Sequence, residues 1–119
     1  IATDHAPHSQ EEKSRGLALS SFGIVGIETA FSTMYTYLVK TGIISLEKLI
    51  ELMAINPRKR FDIPFDNSFT VWNLDKEYIV NSEDFLSKGK ATPFENKKLS
   101  GECLLTVMGD SIVYRHSDI

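Results

Sequence analysis

The order of apolar and polar positions divides this 119-residue chain into a helical first half and a β-rich second half. Ile1-Ala2-Thr3 is a short apolar run that reads as the end of a buried strand. Polar and charged residues dominate from Ser9 to Ser21, around Gly16, as in an exposed loop. Ile27, Phe31, Met34 and Leu38 then recur at i, i+4, i+7 and i+11. That spacing predicts one buried stripe of an amphipathic helix, with Thr41-Gly42 as its end. Ser45 is placed to cap a second helix whose buried face is Leu46, Leu49, Ile50 and Met53. Asn56 as cap and Pro57 as first helical residue predict a third, short helix through Phe61.

Beyond Pro64 the period changes. Residues 69–74 and 77–80 read as two strands joined by a turn at Asp75-Lys76. Residues 87–101 carry Ser, Gly, Pro and Asn and read as loop, with Phe94 as its anchor. Residues 103–108 and 111–114 predict a hairpin closed by Gly109-Asp110. Two parts are therefore expected: residues 1–64, strand, loop and helices, and residues 65–119, a small β-rich unit. The chain opens on Ile inside an apolar segment, without a cap or tail, so it reads as part of a longer sequence.

Composition removes several function classes. Hydrophobic content of 42% suits a globular protein. The 13 basic and 16 acidic residues are mixed along the chain, and no basic stripe suits a nucleic-acid backbone. No apolar run approaches a membrane span, and nothing resembles a secretory signal. The lone Cys103 excludes an internal disulfide and fits a reducing cytosol. In its strand-like run it reads as a buried structural thiol.

Candidate chemistry concentrates in Asp4-His5-Ala6-Pro7-His8, a segment that Pro7 keeps from being a regular helix. A carboxylate just beyond a strand end, with imidazoles beside it, is how α/β-barrel hydrolases often build an active rim. Residue types alone leave two readings open. Asp4 is either a turn former or a catalytic acid–base group; His5 and His8 are either loop hydrogen-bonding groups or ligands for a metal or an anionic substrate. Catalytic zinc takes three protein ligands. Apart from these histidines the chain offers only His116 and Cys103, so most ligands to any metal would lie outside it. Gly23 and Gly26 read as backbone permissiveness at a loop–helix junction, or as free backbone groups placed to bind a polar ligand at close range. Lys13 and Arg15 read as a solvated loop face, and Asn56 to Arg60 as an exposed helix end.

The sequence resembles the C-terminal part of bacterial dihydroorotases of the amidohydrolase superfamily. The residues that carry the resemblance are Ile1 to His8, then Phe22-Gly23-Ile24-Val25-Gly26-Ile27-Glu28-Thr29-Ala30, Asn56-Pro57, Glu83 to Lys88 and Thr92-Pro93-Phe94. Dihydropyrimidinases and allantoinases share the Asp-His-x-Pro core but generally lack a histidine at the position of His8, which makes His8 the discriminating residue. The fold implied is α/β: the last strand and helices of a (β/α)₈ metal-dependent hydrolase barrel, followed by a small β-rich part of a composite β-sandwich. The activity implied is zinc-dependent, reversible hydrolysis of L-dihydroorotate to N-carbamoyl-L-aspartate, in the cytoplasm. Asp4 would be the catalytic aspartate, touching zinc and its activated water. His8 would contact the substrate carboxylate, while Phe22 and Gly23 would offer backbone contacts to the ring. His5 receives no role. The other zinc ligands belong to earlier strands, so the resemblance implies partners in the remainder of the enzyme and in a homo-oligomer, and an isolated chain without activity. Two alternatives keep the resemblance: a catalytically silent partner of a transcarbamoylase, and a hydantoinase or dihydropyrimidinase acting on a neutral ring.

Overall fold

Three antiparallel strands, β1 (Phe69–Ile79), β2 (Lys98–Met108) and β3 (Ser111–Arg115), pair in the order β1-β2-β3. The computed structural model describes every residue except Asp118. The β2–β3 hairpin turns at Gly109-Asp110, where Gly109 takes a φ of 56°. The two strands expected at 69–74 and 77–80 are one. Asp75 and Lys76 are not a hairpin turn but part of a bulge, because the Asn73 side-chain oxygen accepts from both of their N–H groups. Residues on either side of the bulge therefore pair with the same strand, β2, Asn73 with Glu102 and Glu77 with Ser100. Strand β2 also starts earlier than expected, at Lys98, and buries Leu99 completely.

The first half is built from three helical pieces. Helix α1 (Gln10–Lys13) interrupts the segment expected to be loop. Ser9 nucleates it: its hydroxyl accepts from Glu12 N, while its own N–H donates to the Glu12 carboxylate at 2.8 Å. Replacing Ser9 with Ala is expected to cost about 1 kcal/mol of stability, read from thermal unfolding. No change in unfolding would show the box to be irrelevant.

Helix α2 runs over residues 30–39, α-helical at Ala30–Met34 and widened to a π-turn at Tyr35–Val39. Its expected stripe is only half covered, and Ile27 is exposed and precedes the helix. The buried side is instead Thr29, Ser32 and Thr33. These small residues let α2 approach the β2 backbone, where Ser32 Oγ donates to the Gly101 carbonyl and Thr36 Oγ1 accepts from Ser100 N. Gly42 closes the end at a φ of 76°.

Helix α3 spans residues 46–60 without the break expected at Asn56-Pro57. Ser45 caps it by accepting from Lys48 N, and Leu49 is fully buried. Pro57 fits inside because the preceding turn, Glu51–Ile55, is a π-turn; Asn56 donates its N–H to the Glu51 carbonyl instead of acting as a cap. At its basic end Arg58 is not simply solvated: it donates to the Pro64 carbonyl and lies 5.5 Å from the Phe65 ring centre.

Ile1 to Thr3 form no regular strand; His5 makes an isolated parallel bridge with Ile24. Val25, Leu49, Val80 and Leu99 are the buried apolar side chains among the described residues. The accessible surface is 8169 Å², against about 6,500 Å² for a self-contained domain of this mass. The Cα radius of gyration of 15.6 Å likewise exceeds the roughly 13.5 Å of a compact chain of this length. Leu17, Phe22 and Leu86 are among the large apolar side chains left almost wholly exposed. Among the described residues no helix is long and apolar enough to cross a membrane.

Candidate active site

The segment from Asp4 to His8 is irregular, as Pro7 requires, and two other segments hold it in place. The first is 23–27. Ala6 N donates to the Ile24 carbonyl at 2.8 Å, and His5 Nδ1 accepts from the N–H groups of Gly26 (3.2 Å) and Ile27 (3.3 Å). Gly23 fits there for want of a side chain. Its φ is 123°, and a Cβ would stand 2.3 Å from that of Ala6.

The second is the tail segment 86–91. Both Glu28 carboxylate oxygens accept from it, at 2.8 Å each, one from Leu86 N and one from Ser87 N. Val25 N donates to the Ala91 carbonyl. Lys90 Nζ donates to the Phe85 carbonyl and holds the turn closed. Gly89 lies directly against the backbone of Pro7 and His8.

The four residues expected at the site are neighbours through Ala6, although His8 and Phe22 border different clefts and Asp4 borders neither of the two. Asp4 and His8 flank Ala6 by two residues on either side, and Gly23, with Phe22 beside it, abuts Ala6. Asp4 is exposed at a φ of 47°, and its carboxylate makes no hydrogen bond or ion pair among the described residues. Phe22 is 91% exposed, and its backbone groups and the Gly23 N–H make no hydrogen bond among the described residues. The Gly23 carbonyl is already taken by Lys13 Nζ, which also donates to the Ser21 carbonyl. Lys13 is thus a staple between loop and rim, not a solvated face. Arg15 does stay at the surface, 3.6 Å from Glu11.

His8 is one-third exposed, with Nδ1 3.7 Å from the Glu12 carboxylate. The Ser9 backbone N–H and then its hydroxyl, more than His8 and Arg15, hold the Glu12 carboxyl below its ordinary value. Glu12 therefore stays ionised beside the imidazole. Its depressed value means that the contribution of this cap is present above the ordinary carboxylate range and is lost as pH falls through the lowered value. His8 also lines a cleft of about 490 Å³ whose lining includes Lys13, Lys88, Lys90 and Glu83. Three ammonium groups against Glu83 and the neighbouring Glu12 leave that cleft a net excess of one positive charge, suited to an anion.

Sequence reasoning did not find Glu28, Gly89 or Lys90, although Glu28 stands inside one of the motif blocks. What Glu28 and Gly89 hold lies far away in sequence, where a one-dimensional pattern carries no trace of it; Lys90 closes a turn only five residues back. A local signal that does stand in the sequence is Ser9-x-x-Glu12, the mark of a capping box. Cys103 is half-buried rather than buried.

No family model matches the chain. A dihydroorotase of Fusobacterium nucleatum is 53% identical to it over 121 residues, 96% of this chain and 28% of that protein. Dihydroorotases of Ligilactobacillus salivarius and Bacillus subtilis are 44% and 43% identical, over 99% and 96% of this chain and 29% and 28% of theirs. The chain thus spans little more than a quarter of the length of the curated relatives it matches. Among solved structures, an L-hydantoinase (dihydropyrimidinase) from Arthrobacter aurescens aligns with a TM-score of 0.74 at 28% identity, over 81% of this chain and 23% of its own. A dihydropyrimidinase from Brevibacillus agri aligns with a TM-score of 0.85 at 19% identity, over 94% of this chain and 27% of its own, and shares the fold.

Proposed function

We propose that this chain, which belongs to the dihydroorotase family by its sequence, forms the substrate-facing rim of a longer cyclic-amide hydrolase. The reaction is the reversible hydrolysis of L-dihydroorotate to N-carbamoyl-L-aspartate. One observation carries the choice of an acidic ring: His8 lines the lysine-rich cleft. Dihydroorotate brings a carboxylate that this potential attracts, and a neutral ring does not. Asp4 takes the proton of the attacking water and returns it to the departing ring nitrogen. His8 faces the substrate carboxylate, and the backbone of Phe22 and Gly23 fixes the ring.

When bound, zinc supplies a water of lowered pKa. Of this chain's residues Asp4 suits such an ion, since its carboxylate is exposed and unengaged. His5 Nδ1 is already committed to backbone amides. Among the described residues no group of three His, Cys, Asp or Glu could hold a metal, so the remaining ligands come from the rest of the enzyme.

In that enzyme residues 1–64 act as the last strand and helices of a (β/α)₈ barrel, and residues 65–119 as part of a composite β-sandwich. The surface in excess of a self-contained domain, roughly 1,700 Å² on this chain alone, is about twice what one partner contributes to a standard interface and supports burial against the remainder of the enzyme or a second copy.

The likeness to the Arthrobacter L-hydantoinase favours a second reading, hydrolysis of a neutral ring. A substrate panel on the full-length protein separates the two. Dihydroorotate should be turned over and hydantoin or dihydrouracil should not. His8→Ala should raise KM for dihydroorotate by about 10- to 100-fold, the loss of one charge-assisted hydrogen bond. Turnover of the neutral rings alone, unaffected at His8, would establish the second reading instead.

A further inference from the structure

We infer that His5 is a positioning residue, which fixes the catalytic carboxylate relative to the ring-binding backbone through an Nδ1 acceptor; the inference rests on the roles just proposed for Asp4, Phe22 and Gly23. His5 directly follows Asp4, and its Nδ1 accepts from two successive backbone amides, Gly26 N at 3.2 Å and Ile27 N at 3.3 Å. A ring nitrogen that accepts carries no proton, so the imidazole proton sits on Nε2.

The consequence for Asp4 is mechanical. Its φ of 47° lies in the left-handed region, which Asp tolerates better than most residues but which still leaves its direction to be fixed by neighbouring ties. Two ties hold the backbone immediately after Asp4: the His5 ring bonds and the donation from Ala6 N to the Ile24 carbonyl. Both end on the segment that begins with Phe22-Gly23. His5 thereby couples the direction of the Asp4 carboxylate to the position of the backbone that would hold the ring. Gly26 is buried, so loss of the ring acceptor would leave its amide without a partner and the segment free to shift.

Side-chain length supplies the test. Asn carries its Oδ1 the same number of bonds from Cα as His Nδ1, whereas Gln places its amide one bond further out, and Ala removes the acceptor. In the full-length enzyme His5→Asn is expected to keep kcat close to that of the unsubstituted protein. His5→Ala and His5→Gln should each lower kcat by about 10²-fold, the effect of a reacting group displaced by an ångström. These rates are to be compared below the melting transition of each variant, where a merely stabilising histidine would leave kcat untouched. An Asn variant as slow as the Ala variant, or Ala and Gln variants with full kcat, would overturn the inference. ¹⁵N-histidine spectra at mildly alkaline pH add a readout that needs no turnover. They should show His5 as the Nε2–H tautomer, and an Nδ1–H tautomer would refute the assignment. If the unsubstituted enzyme hydrolyses no cyclic amide, the functional reading fails, while these spectra still decide the state of His5.

Discussion

Asp4→Asn in the full-length protein is expected to lower kcat for dihydroorotate by about 10³-fold, as removal of a general acid–base group does, with KM little changed. Asn is the informative replacement because of the backbone. At a φ of 47° a residue sits where Asp and Asn are tolerated and most others are strained. Alanine would mix the chemical loss with a conformational one; asparagine removes the proton-carrying function and keeps the geometry. The carboxylate is exposed and unpartnered among the described residues, so thermal stability should change by less than about 0.5 kcal/mol. Full activity in the Asn variant would remove Asp4 from the mechanism. A large fall in stability would instead point to a structural aspartate.

Gly89→Ala should damage the same rim without touching any group that reacts. A Cβ at position 89 would lie 2.5 Å from the Pro7 carbonyl carbon and 2.6 Å from the His8 oxygen. Both are backbone atoms, so no flexible side chain can yield, and the loop carrying Asp4 and His8 must move. The expected cost is about 2–3 kcal/mol of stability, with kcat/KM falling by about 10²-fold from misplacement alone. Gly42→Ala is the matched control. Its φ of 76° penalises a side chain by about 1 kcal/mol, but nothing lies within 4 Å and the rim is elsewhere. If position 89 behaves like position 42, the tail segment does not position the rim.

How much of this could be read from the chain depends on the range of each interaction. The hairpin at 103–114 and the ends at Gly42 and Ser45 were legible because turn and cap chemistry is local. The bulge at Asp75-Lys76 resembles a turn because its residues have turn character; only pairing with β2 distinguishes the two. Periodicity selected Ile27, Phe31, Met34 and Leu38 as the buried side of α2. The actual packing partner is the backbone of β2, which admits Thr29, Ser32 and Thr33 and not larger groups. Pro57 has the sequence of a helix start because nothing in the chain signals that the turn before it widens. At the rim, the motif itself named Asp4, His8, Phe22 and Gly23. Glu28 and Gly89 could not be named, because each is defined by a segment at least 58 residues away.

The stacking of Trp72 on Phe31, with ring centres 4.1 Å apart, has a practical consequence. Trp72 is the single indole of the sequence and sits on β1, while Phe31 belongs to α2. Its ultraviolet emission therefore gives an unlabelled optical gauge of separation between sheet and helix, readable during denaturant titration without any introduced fluorophore.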